Sequence, residues 1–143
     1  EAYRYLANAK QTLGNSPIEY GIYTDSKYVK EAAGIAYLSA LKAIDVFLLS
    51  RRVRKDDLPQ SIEEYHDMIR KKMPHNGKLK AALHIVYYNL HRLAYYQGGT
   101  DVKMIKSGFE NCKKIIEMID NTLGKSSTQS MVNEPQVKYK TLK

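Results

Sequence analysis

The sequence predicts an all-α protein, an antiparallel up-down bundle of about five helices, on three observations. Apolar residues recur three and four positions apart along most of the chain. No segment alternates with the period of two that a half-buried strand requires. Glycine, proline and short polar residues punctuate the periodic stretches where helices would start and stop. The 143 residues suit one domain and can bury a core without covalent staples.

The first helix is expected from about Ala2 to Leu13, with Leu6, Ala9 and Leu13 on one face. Gly14 follows in the place of a left-handed C-terminal residue. Residues 15–23, broken by Pro17 and Gly21, read as an open connection. Asp25 or Ser26 can cap the second helix, which is expected to run to about Ser50. Its Val29, Ala32, Ala33, Ala36, Tyr37, Ala40, Leu41, Ile44, Phe47 and Leu48, with Val46 and Leu49 spreading the apolar surface further round, leave a narrow, mostly polar arc of Lys27, Glu31, Leu38, Lys42 and Asp45. A helix so widely apolar belongs at the centre of a bundle. Asp45, on that arc, is expected to be exposed.

Arg51, Arg52, Arg54 and Lys55 then place positive charge at the negative end of the helix dipole. Ser61 and Glu64 have capping-box spacing at the head of a third helix, which stops before Pro74. The fourth is expected from Asn76-Gly77 to about Gln97, turning Leu79, Leu83, Val86, Tyr87, Leu90 and Ala94 inward, with Gly98-Gly99 ending it. Asp101 can cap the fifth, where Val102, Ile105, Phe109, Cys112, Ile116, Ile119 and Leu123 keep the spacing until Gly124. The expected organisation is a bundle over residues 1–124 and a basic, flexible tail over 125–143.

Net charge is +8, from 23 lysines and arginines against 15 acids. The tail from Lys125 holds four lysines and one glutamate, leaving +5 for the remainder. Such an excess favours acidic partners, RNA or a nucleotide among them, and equally serves solubility. A lone cysteine, Cys112, excludes an internal disulfide and suits a reducing compartment. No run of about 18 purely apolar residues points to a membrane span. A cytoplasmic setting without membrane contact is the expectation. No ligand spacing suggests a metal, and no motif suggests a cofactor.

Two sets of residues stand out. His84, Tyr88, His91 and Tyr95 fall at i, i+4, i+7 and i+11 and line one face of the fourth helix. Tyrosine pairs a broad apolar ring with a polar tip, so the stripe reads as helix packing, a homodimer seam, a protein partner's seat or a ligand face. The second set is basic: Arg51, Arg52, Arg54 and Lys55, then Arg70, Lys71 and Lys72 with Lys78 and Lys80. Phosphate binding needs such groups to converge. Consecutive helices of an up-down bundle reverse direction, which would part the two clusters unless the short third helix lies crosswise.

The segment from Tyr28 to Ala43, reading YVKEAAGIAYLSALKA, resembles the second helix of HEPN domains. The first helix (Leu6, Ala9, Leu13), the stretch His91-Arg92-Leu93-Ala94-Tyr95-Tyr96 and the final helix extend the likeness over residues 2 to 123. The resemblance implies a helical bundle that often dimerises, and, in many members, a metal-independent ribonuclease built from an arginine, four to six intervening residues and then a histidine. Here His91 stands where that arginine is expected, Tyr95 where the family has aspartate, and no histidine follows Arg92. The literal match, Arg70 to His75, falls earlier and is interrupted by Pro74. The expectation is therefore a non-enzymatic, homodimeric accessory module. The alternatives are a ribonuclease using Arg70 with His75, or His91 with Arg92, and a nucleic-acid binder without catalysis.

Overall fold

A computed structural model describes the backbone of residues 1–133 and the side chains of residues 1–124. Its axis is helix α2 (Ser26–Ser50), capped by Asp25, whose carboxylate accepts from the Lys27 amide at 3.2 Å. Val29, Ala32, Ala33, Ala36, Ala40, Ile44, Phe47 and Leu48 of α2 are all buried, as its composition requires. By length and composition α2 could also cross a bilayer: its most apolar 18-residue window has a mean hydropathy of 1.7. Lys42 and Asp45 break the apolar run without lowering the mean of that window below what a span needs. Half of that window is buried inside the bundle.

Helix α1 (Ala2–Leu13) lies antiparallel to α2 and seats Leu6, Ala9 and Leu13 in the core. The Lys42 ammonium of α2 stands 5.0 Å above the Tyr5 ring. Gly14 closes α1 with ordinary right-handed dihedrals rather than left-handed ones. The following connection is not open: Ile18–Glu19 (β1) and Ile22–Tyr23 (β2) form a minimal antiparallel hairpin. Tyr20 and Gly21 turn it with positive φ, which a two-residue hairpin turn demands. The Tyr23 amide donates to Thr100 O and the Val102 amide to Gly21 O, tying the hairpin to the start of the last helix.

At its far end α2 is closed by Arg52 at φ 69°, with the Val53 amide donating back to Leu48 O. Helix α3 (Ile62–Lys72) is capped by Ser61, whose hydroxyl accepts from the Glu64 amide; the Glu64 carboxylate reaches back to the Gln60 amide. Tyr65 and Ile69 of α3 are buried. Asp45 is half-buried rather than exposed, and accepts a 2.8 Å hydrogen bond from the Tyr65 hydroxyl. That cross-helix contact had no signature in α2 alone. Burial pushes the Asp45 carboxyl above its ordinary value, opposed by the Tyr65 bond and by Lys42.

Helix α4 (Gly77–Val86) passes without a break into a π-helical segment, Tyr87–Tyr96, which packs antiparallel to α2. Tyr37 meets His91, Gly34 meets Tyr95 and Lys30 meets Gly98, in descending order along α2 and ascending order along the segment. The last helix, α5 (Val102–Asn133), starts at the hairpin end beside the start of α2 and runs parallel to it. Cys112 Sγ meets Ala36 O at 3.2 Å. The Asp101 carboxylate accepts from the Met104 amide as its cap. Helix α5 does not stop at Gly124 but continues to Asn133, so the expected tail begins as helix. A glycine in a helix interior costs about 1 kcal/mol and does not by itself break it. Residues 134–143 of that expected tail lie outside the described part.

The result is four long helices alternating in direction, with α3 inserted where the chain passes from α2 to α4. Consequently the C-terminus of α2 and the N-terminus of α4 share one end of the bundle. The two basic clusters are therefore neighbours at that end, not at opposite ends. The alternation of direction that would part them holds for full-length helices, and α3 is not one.

Candidate functional site

A π-helix closes its hydrogen bonds between residues five apart, here seen in the Gln97 amide donating to Arg92 O at 3.1 Å. Each turn then holds roughly 4.4 residues, so residues four and five apart stack above one another. This re-sorts the aromatic stripe expected on an α-helix. His91 becomes the centre of a cluster: stacked on Tyr37 of α2 with centroids 4.7 Å apart, beside Tyr87 at 5.3 Å, and against Tyr95 at 6.1 Å and Tyr96 at 5.1 Å. His84 and Tyr88 form a separate stacked pair at 6.4 Å, on the α-helical part and its junction. The four-residue stripe is thus two groups, and the larger one has members from outside that stripe.

Tyr37, Tyr87 and Tyr96 are those members. The available signal was the pair of doublets, Tyr87-Tyr88 and Tyr95-Tyr96, eight positions apart. In an α-helix only one of each doublet can share a face; in a π-helix both ends of the second doublet reach His91. Tyr95 can lie against α2 because position 34 is glycine: a Cβ there would meet the Tyr95 ring at 3.5 Å. Tyr88, Tyr95 and Tyr96 remain half-exposed or more. On α2, Leu38, Val46 and Leu49 are also half-exposed, Leu38 on the mostly polar arc and the other two where the apolar face spreads round the helix.

Protonation at this face is biased towards neutral forms. Burial pushes the Tyr37 hydroxyl up to about 12, with Tyr87 and Glu63 adding to the effect. Burial also lowers His91 below the ordinary imidazole value, and the Arg92 charge lowers it further. His66 of α3 is lowered by burial first and then by Lys80 and His84, against the opposing Glu63 and Asp67. A histidine with a depressed folded value binds fewer protons folded than unfolded. The stability it contributes is therefore present above the unfolded value, near 6.5, and declines as pH falls through it towards the folded one. Melting temperature should fall between about pH 7.5 and about pH 5.5, and His66→Gln with His91→Gln should flatten that dependence. Equal slopes in variant and parent, measured by circular dichroism melts, would remove these two histidines from the explanation.

The residues of the suggested ribonuclease pairs are not assembled into a centre. The Arg70 guanidinium is paired with Asp67 at 2.9 Å, and His75 sits in a left-handed turn at φ 53°. No contact joins Arg70 to His75 among the described residues. His91 does have Arg92 beside it in sequence, yet its ring is occupied by tyrosines, with Arg92 exposed. Cys112 is wholly buried, and burial raises its thiol to about 12, which keeps it a thiol at neutral pH. Among the described residues no group of three His, Cys, Asp or Glu side chains could hold a metal ion. Of the basic residues, Arg54 is loosely paired with Asp57 at 3.9 Å and Arg51 lies over the Phe47 ring at 4.8 Å. Arg52, Lys55, Lys71, Lys72 and Lys78 are exposed, and Lys80 is half-buried beside His66.

Comparison with known proteins places this arrangement. Residues 1–121 match the family described as a domain of unknown function, DUF5618. The chain belongs to that family. A solved protein of unknown function from Dyadobacter fermentans is similar at 32% identity, with a TM-score of 0.75, covering 85% of this chain and 93% of that one. No curated protein matches. The DUF5618 match takes in α1, α2, α3, the α4–π element and most of α5, so the aromatic cluster and both basic clusters lie within the family's domain.

Proposed function

We propose that this DUF5618 chain is a non-enzymatic, homodimeric binding module whose two copies meet through the π-helical segment and the outer side of α2. The observation that carries it is the set of large apolar side chains left exposed on two helices that pack together: Leu38, Val46 and Leu49 on one, and Tyr88, Tyr95 and Tyr96 on the other. Large exposed apolar patches mark interaction sites, and tyrosines are favoured anchors because they bury much area at small entropic cost. A two-fold axis through such a face brings the same patch from both copies together. A net charge of +8 repels two copies over most of the surface, but α2 carries both signs here, with Glu31 and Asp45 near Lys42. The HEPN-like likeness, a cytoplasmic setting and the accessory role belong to this same reading.

The test is Tyr88→Glu with Tyr95→Glu, followed by light scattering after size exclusion. Each protomer would bury two unpaired carboxylates at the seam, so the mass is expected to fall from about two 16.4 kDa chains to one. An unchanged dimer mass would rule this seam out.

One observation favours a second reading, a nucleic-acid binder without catalysis. The fold brings Arg51, Arg52, Arg54 and Lys55 to the same end as Arg70, Lys71, Lys72 and Lys78. Affinity for single-stranded RNA that falls steeply with salt, without cleavage in EDTA, is its mark. Cleavage abolished by His91→Ala or His75→Ala would instead restore the ribonuclease.

A further inference from the structure

On the side of the bundle away from the aromatic cluster, α1, β2 and α5 enclose a cavity of about 320 Å³. Its floor is apolar: Leu13, Tyr23 and Phe109, each almost fully buried. Its rim carries Lys10 from α1 and Lys106 and Lys113 from α5, with the Glu110 carboxylate between them. Lys106 and Lys113 are seven residues apart, two helical turns on one side of α5, and Lys10 faces them from the neighbouring helix. None of these lysines is in an ion pair among the described residues, and neither is Glu110.

Tyr23 adds a polar handle. Its backbone is fixed by the bond to Thr100 O, and its ring is buried. Its hydroxyl makes no hydrogen bond within the described residues, yet no buried side-chain oxygen lacks a partner, so this hydroxyl retains contact with solvent, and Tyr23 is one of the residues that line the cavity.

We propose that this cavity binds a small organic anion with an apolar body, a medium-chain or aromatic carboxylate or phosphate. The apolar part would lie on Leu13 and Phe109. The oxyanion would take charge-assisted hydrogen bonds from Lys10, Lys106 and Lys113 and a further one from the Tyr23 hydroxyl. Three ammonium groups against one carboxylate leave a rim of net +2, which selects the anion over a neutral or cationic analogue of the same shape. The volume is at the lower end for small-molecule sites, which limits the ligand to a chain of medium length or a single ring. The site is independent of the proposed seam, since none of its lining residues belongs to α2, α4 or the π-helical segment.

The experiment is isothermal titration of the full chain with sodium octanoate and with phenyl phosphate, using octanol and octylammonium as matched controls. At least one of the two anions should bind saturably at one per chain, with neither control doing so; which one binds assigns the head group. Lys106→Glu with Lys113→Glu changes only exposed side chains and should weaken that binding at least about tenfold, with the melting temperature little altered. No saturable binding of either anion, equal binding of octanol, or unchanged affinity in the folded double variant would overturn the proposal.

Discussion

Replacing Gly108 with valine is expected to lower the unfolding free energy by roughly 1–3 kcal/mol or more. A Cβ at this position of α5 would stand 2.6 Å from both Cγ and Cδ2 of Leu90. Leu90 is fully buried in the π-helical segment and has no free volume into which to withdraw. Relief therefore requires α5 and the segment to separate, which disturbs the seat of the aromatic cluster itself. Gly108→Ala should show the same effect at a smaller size. In urea denaturation the midpoint should fall, and Leu90→Ala combined with Gly108→Val should cost less than the sum of the two single changes. Additive costs would mean that the two positions do not share the contact.

Phe47→Ala should cost more, about 3–5 kcal/mol. Phe47 is the largest fully buried side chain in the bundle and sits in the last two turns of α2. Removing the ring takes away its transfer free energy and leaves a cavity between helices that are too well supported to collapse into it. The Arg51 guanidinium rests over the same ring, so the variant also frees a cation at the basic end. Phe47→Leu should keep most of the stability, because it preserves much of the volume. A loss below about 1 kcal/mol for Phe47→Ala would mean that α2 is not the packed axis described above.

The fold was legible because burial enforces periodicity. The buried faces of α1, α2 and α5 are those that the three-four spacing marked, and Asp25, Ser61 and Asp101 cap where short acceptors precede apolar runs. The missed features share a cause: each depends on a partner from elsewhere in the chain. The π-helical segment spoke with α-helical periodicity until its contact with Tyr37 and Gly34 fixed which residues share a face. Asp45 looked like a surface acid because its position on α2 says nothing of Tyr65 on α3. Whether the basic clusters share an end turned on the placement of the short α3, which its own sequence does not fix. Part of the candidate face was likewise readable: His84, Tyr88, His91 and Tyr95 from spacing, but the gathering of Tyr37, Tyr87 and Tyr96 around His91 only from packing.

The proposed seam makes one measurement decisive, the solution mass of the unmodified chain. Sedimentation equilibrium at several concentrations up to about 100 μM covers the range in which an interface of ordinary size holds two copies together. The expected result is a species of two 16.4 kDa chains that persists on dilution into the low micromolar range. A single 16.4 kDa species at every concentration would contradict the dimeric reading and leave the tyrosine face to a different partner.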